Sequence, residues 1–345
     1  MIKIFIFLIK NKFINSNKLI FIKNMAETSK KMKLNNGLEI PIMGLGTTRI
    51  RNLDDANNSM SAEDRNKDVE EVVYNSIKHG VRLLDTASKY ENEVEVGKGI
   101  KRAIDEGIVK REDLFVVTKM WPDEKDDPEK ALKRSLEKLQ LSYVDLYLDH
   151  WPSGKCYNGK NNFKLISVRD LWGNMEKLVE QNLTKSIGVS NYNVQNLLII
   201  LSICKIKPVV DEVEFHPYLY QKDLKEFCDK EDIKIISYYP LIKGVNYKSR
   251  FPKIVNEKKL DLLNEEIVVN LSKKYNKTVG QIILNWHIHL GVIPIPGTSN
   301  SERMKENLAA IDFNMEDNDY DLISSLDKQF RFCDGIGIYG IDIFA

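Results

Sequence analysis

The chain has 345 residues, 43% of them hydrophobic, which is enough for one large core or two ordinary ones. Its 51 basic and 50 acidic residues leave a net charge of +1, so no broad field favours nucleic acid or an anionic membrane as partner. Four cysteines, Cys156, Cys204, Cys228 and Cys333, are scattered without a C-x-x-C pair; this argues against a zinc site or a disulfide framework and points to a reducing, cytoplasmic setting.

The first 24 residues, "MIKIFIFLIKNKFINSNKLIFIKN", carry lysines and no acid. Their apolar stretch is short for a signal peptide and no A-x-A site follows. They read as a disordered or non-native extension, with initiation at Met25. No apolar run approaches the roughly 18 residues of a membrane span. Asn36-Gly37 between apolar residues predicts a hairpin. Eight short, β-branched runs then read as strands: Ile42–Leu45, Val81–Leu84, Leu114–Thr118, Val144–Leu148, Thr184–Val189, Val209–Val213, Ile233–Ser237 and Val292–Ile295. Helical patterns fall between them, including Asp68–Lys78, Pro128–Leu139, Ser167–Glu180, Asp223–Lys230 and Thr278–Leu290. Strand–helix alternation implies parallel pairing and right-handed crossovers. Eight such units in one domain, residues 25–345, predict a (β/α)8 TIM barrel whose bottom the N-terminal hairpin closes; a doubly wound sheet is the alternative. Residues 49–65 read as a long polar loop.

In a barrel, functional residues gather where strands end. Asp85 and Tyr90 follow the second strand, Lys119 and Trp121 the third, and His150 and Trp151 the fourth. Ser190 and Asn191 follow the fifth; Glu212 and Tyr238 belong to the sixth and seventh. Each has an ordinary explanation when taken singly. Asp and Ser cap helices, lysines are solvated, and tryptophans pack. Their coincidence at one rim is harder to explain that way. A phenol is a poor acid, with a reference pKa of about 10. A nearby lysine lowers that value, and a lysine held inside a barrel needs an anionic partner. Tyr90, Lys119 and Asp85 supply acid, tuner and anchor, and His150 can orient a carbonyl oxygen. None of them donates a hydride, so the redox equivalent must come from a cofactor.

Gly44-Leu45-Gly46 is not a dinucleotide fingerprint, because Arg49 stands where the third glycine belongs and no helix opens there. The credible anion site is the eighth loop. Ser299 and Glu302 have capping-box spacing, the N–H groups of that helix would face the small turn Gly297-Thr298, and Arg303 lies in the first turn.

From about Leu34 to Leu326 the chain resembles the aldo-keto reductases. The segments "GVRLLDTASKYENEVEVG", "VVTKMW", "DLYLDHWP", "IGVSNY", "VEFHPYLYQ" and "SYYPL" occur in the family's order. The resemblance implies a catalytic tetrad of Asp85, Tyr90, Lys119 and His150, with Trp121 and Trp151 walling the substrate pocket beside Tyr90 and His150. It implies that Ser190, Asn191 and Glu212 hold the nicotinamide amide and that Tyr238 stacks on the ring. Gly46, Thr47, Asp85 and Leu241 would line the cofactor, and Gly297, Thr298, Ser299, Arg303, Glu306 and Asn307 would hold its adenosine end. Three departures matter. Asp211-Glu212 replaces a usual Asn-Gln, Gly297-Thr298 replaces a usual Lys-Ser, and Thr48 stands where many members carry tryptophan. A carboxylate can only accept hydrogen bonds, and the lost lysine weakens the expected grip on a 2′-phosphate. The expectation is a monomeric NADP-dependent reductase of small aldehydes, aldoses or ketones, preferring NADPH with NADH as a weaker second choice, using no metal, and with neither nucleic acid nor membrane as partner. The alternatives are a non-catalytic NADP-binding regulatory subunit of the same fold and an aldolase forming a Schiff base on Lys119.

Overall fold

The structure, a computed structural model, describes residues 30–48, 62–152, 166–242, 260–335, 339, 343 and 344. The expected N-terminal extension and residues 49–61 of the expected polar loop lie outside these.

Strand β1 (Lys31–Lys33) pairs antiparallel with β2 (Glu39–Pro41). The turn between them uses Gly37 at φ +85°, a conformation that costs glycine nothing. Side chains of the turn then dock on the barrel floor. Asn35 Nδ2 donates to Pro208 O at 2.9 Å and Asn36 Nδ2 to Ser186 Oγ at 2.9 Å. Leu34 and Ile40 join the apolar cluster inside the barrel, so the hairpin closes its bottom.

The main sheet runs β3 (Leu45–Gly46), β4 (Leu83–Asp85), β5 (Phe115–Met120), β6 (Leu146–Asp149), β7 (Ile187–Ser190), β8 (Val210–Glu214), β9 (Lys234–Tyr238) and β10 (Val292–Pro294), parallel and in sequence order. The N–H of Gly44 donates to Pro294 O at 3.1 Å and joins the first strand to the last. Close approach at this seam requires glycine: a Cβ on Gly46 would stand 2.8 Å from Ile295 O. Sequential order and a joined seam give the (β/α)8 barrel and rule out the doubly wound alternative.

Strand alternation sorts the side chains. Leu83, Phe115, Val117, Leu146, Leu148 and Val210 fill the barrel, while Val116 and Tyr147 face the helices. The same inward parity, one pleat further along, puts Asp85, Lys119, Glu212 and Glu214 at the top of the interior. The strands end one or two residues later than their apolar patterns suggest, except at the eighth. Asp85, Ser190 and Tyr238 are therefore last residues of strands and Lys119 lies within one, so ladder bonds hold them more firmly than a loop would. A helix over Ala62–Lys78 starts earlier than expected and absorbs the last residues assigned to the polar loop, since Ala, Glu and Arg propagate a helix readily.

Candidate active site

Lys119 is fully enclosed, and its Nζ is the hub of the rim. It donates to Asp85 Oδ2 at 2.5 Å, Thr86 O at 3.1 Å and Tyr90 Oη at 3.2 Å, and lies 3.2 Å from Glu212 Oε1. Burial alone would strip its proton, but the Asp85 and Glu212 carboxyls outweigh burial and raise its pKa, so it stays charged.

Tyr90 reaches this hub through a single 3-10 turn, Ser88–Tyr90, after which Glu91 reverses the chain at φ 56°. Glu124 ties that turn to the exit of β5, accepting from Ser88 Oγ at 2.6 Å and from the Trp121 N–H at 2.8 Å with one oxygen. The sequence leads one to expect a lysine-lowered phenol. Lys119 does pull in that direction, but burial, aided by the acidic Asp85–Glu212 pair, prevails and the Tyr90 pKa is raised. The hydroxyl therefore keeps its proton until an acceptor develops charge against it.

The His150 ring stands edge-on to both Tyr90 and Trp121, with centroid distances of 5.8 and 5.1 Å. Burial, then the Lys119 and Lys125 charges, hold its pKa well below the usual value, so it is a neutral imidazole. Sequence reasoning passed over what fixes this segment. Asp149, the one charge in the strand run "LYLD", is buried and accepts from Lys125 Nζ at 2.9 Å and Tyr192 Oη at 2.8 Å. Lys125 also donates to Trp151 O at 2.5 Å, so the backbone on either side of His150 is pinned. The available signal was an acid in an otherwise apolar strand, which demands a partner.

Beside the hub, Ser190 Oγ donates to Glu212 O at 2.7 Å and Asn191 Nδ2 to His150 O at 2.9 Å. Asn191, at φ 63°, accepts from Tyr238 Oη at 2.6 Å. Thr47 is buried, its N–H bonded to Asp85 O at 3.0 Å. Asp85, Tyr90, Lys119, His150, Trp121, Ser190, Asn191, Glu212 and Tyr238 thus form one contiguous contact set, and Gly46 and Thr47 adjoin it along β3. Thr47 Oγ1, His150 Nδ1 and Glu212 Oε2 are buried without a hydrogen-bond partner among the described residues. Buried polar groups normally find partners, so three such atoms at one rim suit a ligand bearing an amide, such as a nicotinamide.

Trp151 lies next to His150 at the end of the fourth barrel strand, under a pair of C-terminal rings. It is almost fully buried, and Tyr339 and Phe344 pack on it at 5.8 and 6.3 Å. The segment that carries these two rings is anchored by Glu214, whose two oxygens accept the N–H groups of Phe332 and Cys333, each at 2.7 Å.

The eighth loop differs from expectation. The cap is Asn300, not Ser299: its Oδ1 accepts from the N–H groups of Glu302 and Arg303 at 2.9 and 3.2 Å, and the helix runs Ser301–Leu308. Asparagine bonds these orphan donors as well as serine does and stands one residue nearer. These two N–H groups are consequently occupied, so any anion here would have to be met by the Ser299 hydroxyl, the exposed Arg303 guanidinium and the Thr298 hydroxyl, which also accepts from the Asn300 N–H at 3.1 Å. Gly297 is not in the left-handed region, but a Cβ there would stand 3.1 Å from Gly46 O, so glycine eases a close approach to the first strand. Glu306 accepts from Thr278 Oγ1 at 2.6 Å and its carbonyl accepts from Gln281 Nε2, while Asn307 is buried. Leu241 lies half-buried between this helix and the barrel top, beside Gly280.

Residues 42–328 match the sequence profile of the aldo/keto reductase family. Aldose reductase C of Dictyostelium discoideum is 36% identical over 328 residues, spanning 90% of this chain and 94% of its own. An NAD(P)H-dependent D-xylose reductase of Pyricularia oryzae is 39% identical over 322 residues, 88% of this chain and 94% of that one. Among solved structures, an aldo-keto reductase of Bombyx mori in complex with NADP superposes with a TM-score of 0.77 at 33% identity, covering 90% of this chain and 98% of its own.

Proposed function

The chain belongs to the aldo/keto reductase family of oxidoreductases, and we propose that it reduces aldehydes, aldoses or ketones to alcohols with NADPH. NADPH, when bound, supplies the hydride that reaches the carbonyl carbon. The remaining work falls to this chain's own residues. Tyr90 donates its proton to the carbonyl oxygen as negative charge grows there. Lys119, 3.2 Å away, stabilises the phenolate that this leaves. Asp85 holds Lys119 in place, and neutral His150 orients the carbonyl oxygen beside Tyr90. Ser190, Asn191 and Glu212 would hold the nicotinamide amide and Tyr238 its ring face. Gly46, Thr47 and Leu241 would follow the cofactor outward to Thr298, Ser299 and Arg303 at the 2′-phosphate.

The observation that carries this reading is the enclosed Lys119 bonded at once to Asp85 and to the Tyr90 hydroxyl. A lysine so placed has its charge fixed and no free electron pair, which disfavours Schiff-base chemistry. The relatives' printed dependence on NAD(P)H and the NADP in a structural neighbour support the cofactor. The test is steady-state turnover of a panel of aldehydes, ketones and sugars with NADPH and with NADH. Turnover of aldehydes or aldoses, faster with NADPH, is expected. Cofactor binding with no turnover of any carbonyl would instead make the chain a non-catalytic nicotinamide-binding regulator.

A further inference from the structure

Lys119 faces two carboxyl groups where one would satisfy it. Asp85 Oδ2 lies 2.5 Å from Nζ and Glu212 Oε1 3.2 Å, and each acid is at most 1% exposed. Both carboxyls therefore face the same Nζ and lie in each other's field. Two carboxylates crowded on one ammonium repel each other in a dry interior, and one proton held between them removes that repulsion. Charge counting agrees. One buried lysine neutralises one carboxylate, and a second would leave an unpaired charge in a dry interior.

The other groups facing Glu212 offer no escape for that charge. β4 contributes Asp85 and β5 contributes Lys119, while the ladder neighbours β7 and β9 contribute Ser190 and Ile236 at the paired positions. Tyr90, across the hub, is neutral, and His150 is neutral with no proton to spare. Burial lifts the carboxyl pKa values of both acids, Glu212 well above the usual range, while Asp85 has the closer contact with Lys119. The proton therefore rests mainly on Glu212, shared toward Asp85.

We propose that the Asp85–Glu212 pair is a redox-linked proton site, holding one proton opposite reduced cofactor and releasing it when oxidised cofactor binds. The inference rests on the reading above that Glu212 lies against the nicotinamide. The oxidised ring is a cation and the reduced ring is neutral. A cation arriving beside the pair favours its doubly ionised form. The balance is simple: the protonated pair and NADP+ give the ionised pair, bound NADP+ and one proton in solvent. Reduced cofactor binds with the proton retained. Affinity for NADP+ therefore rises with pH, while affinity for NADPH gains nothing from this site.

The test is the pair of dissociation constants for NADP+ and NADPH with the intact protein at a series of pH values from about 6 to 9. The 2′-phosphate titrates in both and cancels in their ratio. The ratio Kd(NADPH)/Kd(NADP+) is expected to climb with pH, by up to about tenfold per unit, the limit for one linked proton. Calorimetry in two buffers of different ionisation enthalpy is expected to show up to one more proton released per NADP+ than per NADPH, the 2′-phosphate contributing equally to both. Glu212→Gln keeps the shape, removes the titrating group and is expected to flatten the ratio while both cofactors still bind. If both cofactors bind with the same pH dependence, or if Glu212→Gln leaves a rising ratio unchanged, the inference is wrong and the cofactor reading survives. If neither cofactor binds the parent protein at any pH, the cofactor reading fails and takes the inference with it.

Discussion

At the centre of the rim, Lys119 is sealed from water and touches four oxygens within 3.2 Å, each held by a strand or by a turn tied to one. In the eighth loop, Ser299 and Arg303 stand exposed, and the bonds that fix the turn are local ones made by Asn300, to the helix N–H groups and to Thr298 Oγ1. The first region has its geometry before any ligand arrives, so ordering it costs little when a substrate binds. The second has charge and hydroxyls but must be ordered by what it binds, which costs roughly 0.5–1.5 kcal/mol per immobilised side chain. A rigid centre suits a step in which a proton must be placed to a fraction of an ångström. A looser periphery suits the grip on a remote part of the cofactor.

The largest test of this contrast falls at the centre. Tyr90→Phe keeps the ring and its edge contact with His150 but removes the transferable proton. Turnover is expected to fall by about 10²–10⁴, with cofactor dissociation constants close to those of the parent. Near-normal turnover would remove Tyr90 from the chemistry. Lys119→Met is expected to cost less, on the order of tenfold to a hundredfold in kcat/KM, or about 1.4–2.7 kcal/mol. The sign of its pH effect is fixed by the structure. Lys119 lowers the Tyr90 pKa against burial, so its loss raises that pKa and moves the alkaline limb of the profile to higher pH. An unmoved limb would show that the two groups do not communicate.

The seam lies between the two regions and tests rigidity rather than chemistry. Gly46→Ala would drive a methyl to 2.8 Å from Ile295 O, where backbone faces backbone. A loss of about 1–3 kcal/mol in unfolding free energy is expected, read from denaturant midpoints. The smallest effect belongs to the loop. Arg303→Ala is expected to weaken NADPH by about tenfold, or 1.4 kcal/mol, while leaving NADH within about twofold. Equal weakening of both would place Arg303 on the adenine rather than the 2′-phosphate.

The sequence made the rigid region legible because rigid regions are periodic. Short apolar, β-branched runs between helical patterns announced all eight strands, and a polar residue at an inward position after such a run could only be at the top of the barrel. It did not show where the strands ended, since ladder bonding, not hydrophobicity, carries Asp85 and Tyr238 inside them. The loop was harder to read for the opposite reason. Ser299 and Asn300 are both good caps, one residue apart, and only backbone geometry chooses between them. Glu212 was visible as a departure from the family pattern. That its carboxyl turns onto Lys119 and Asp85 follows from three strands meeting in space, which no local spacing records.

Glu214 itself holds the stretch at Phe332 and Cys333 through two main-chain N–H groups, while the Phe332 ring is buried against His216 and Phe330. The carboxylate's part of this anchor is indifferent to side chains: any residue but proline can present an N–H there. The strand that carries Glu212 to Lys119 thus also carries the carboxylate that anchors the chain ahead of Tyr339 and Phe344, the rings on Trp151. Residues beyond that anchor can change without disturbing the hub.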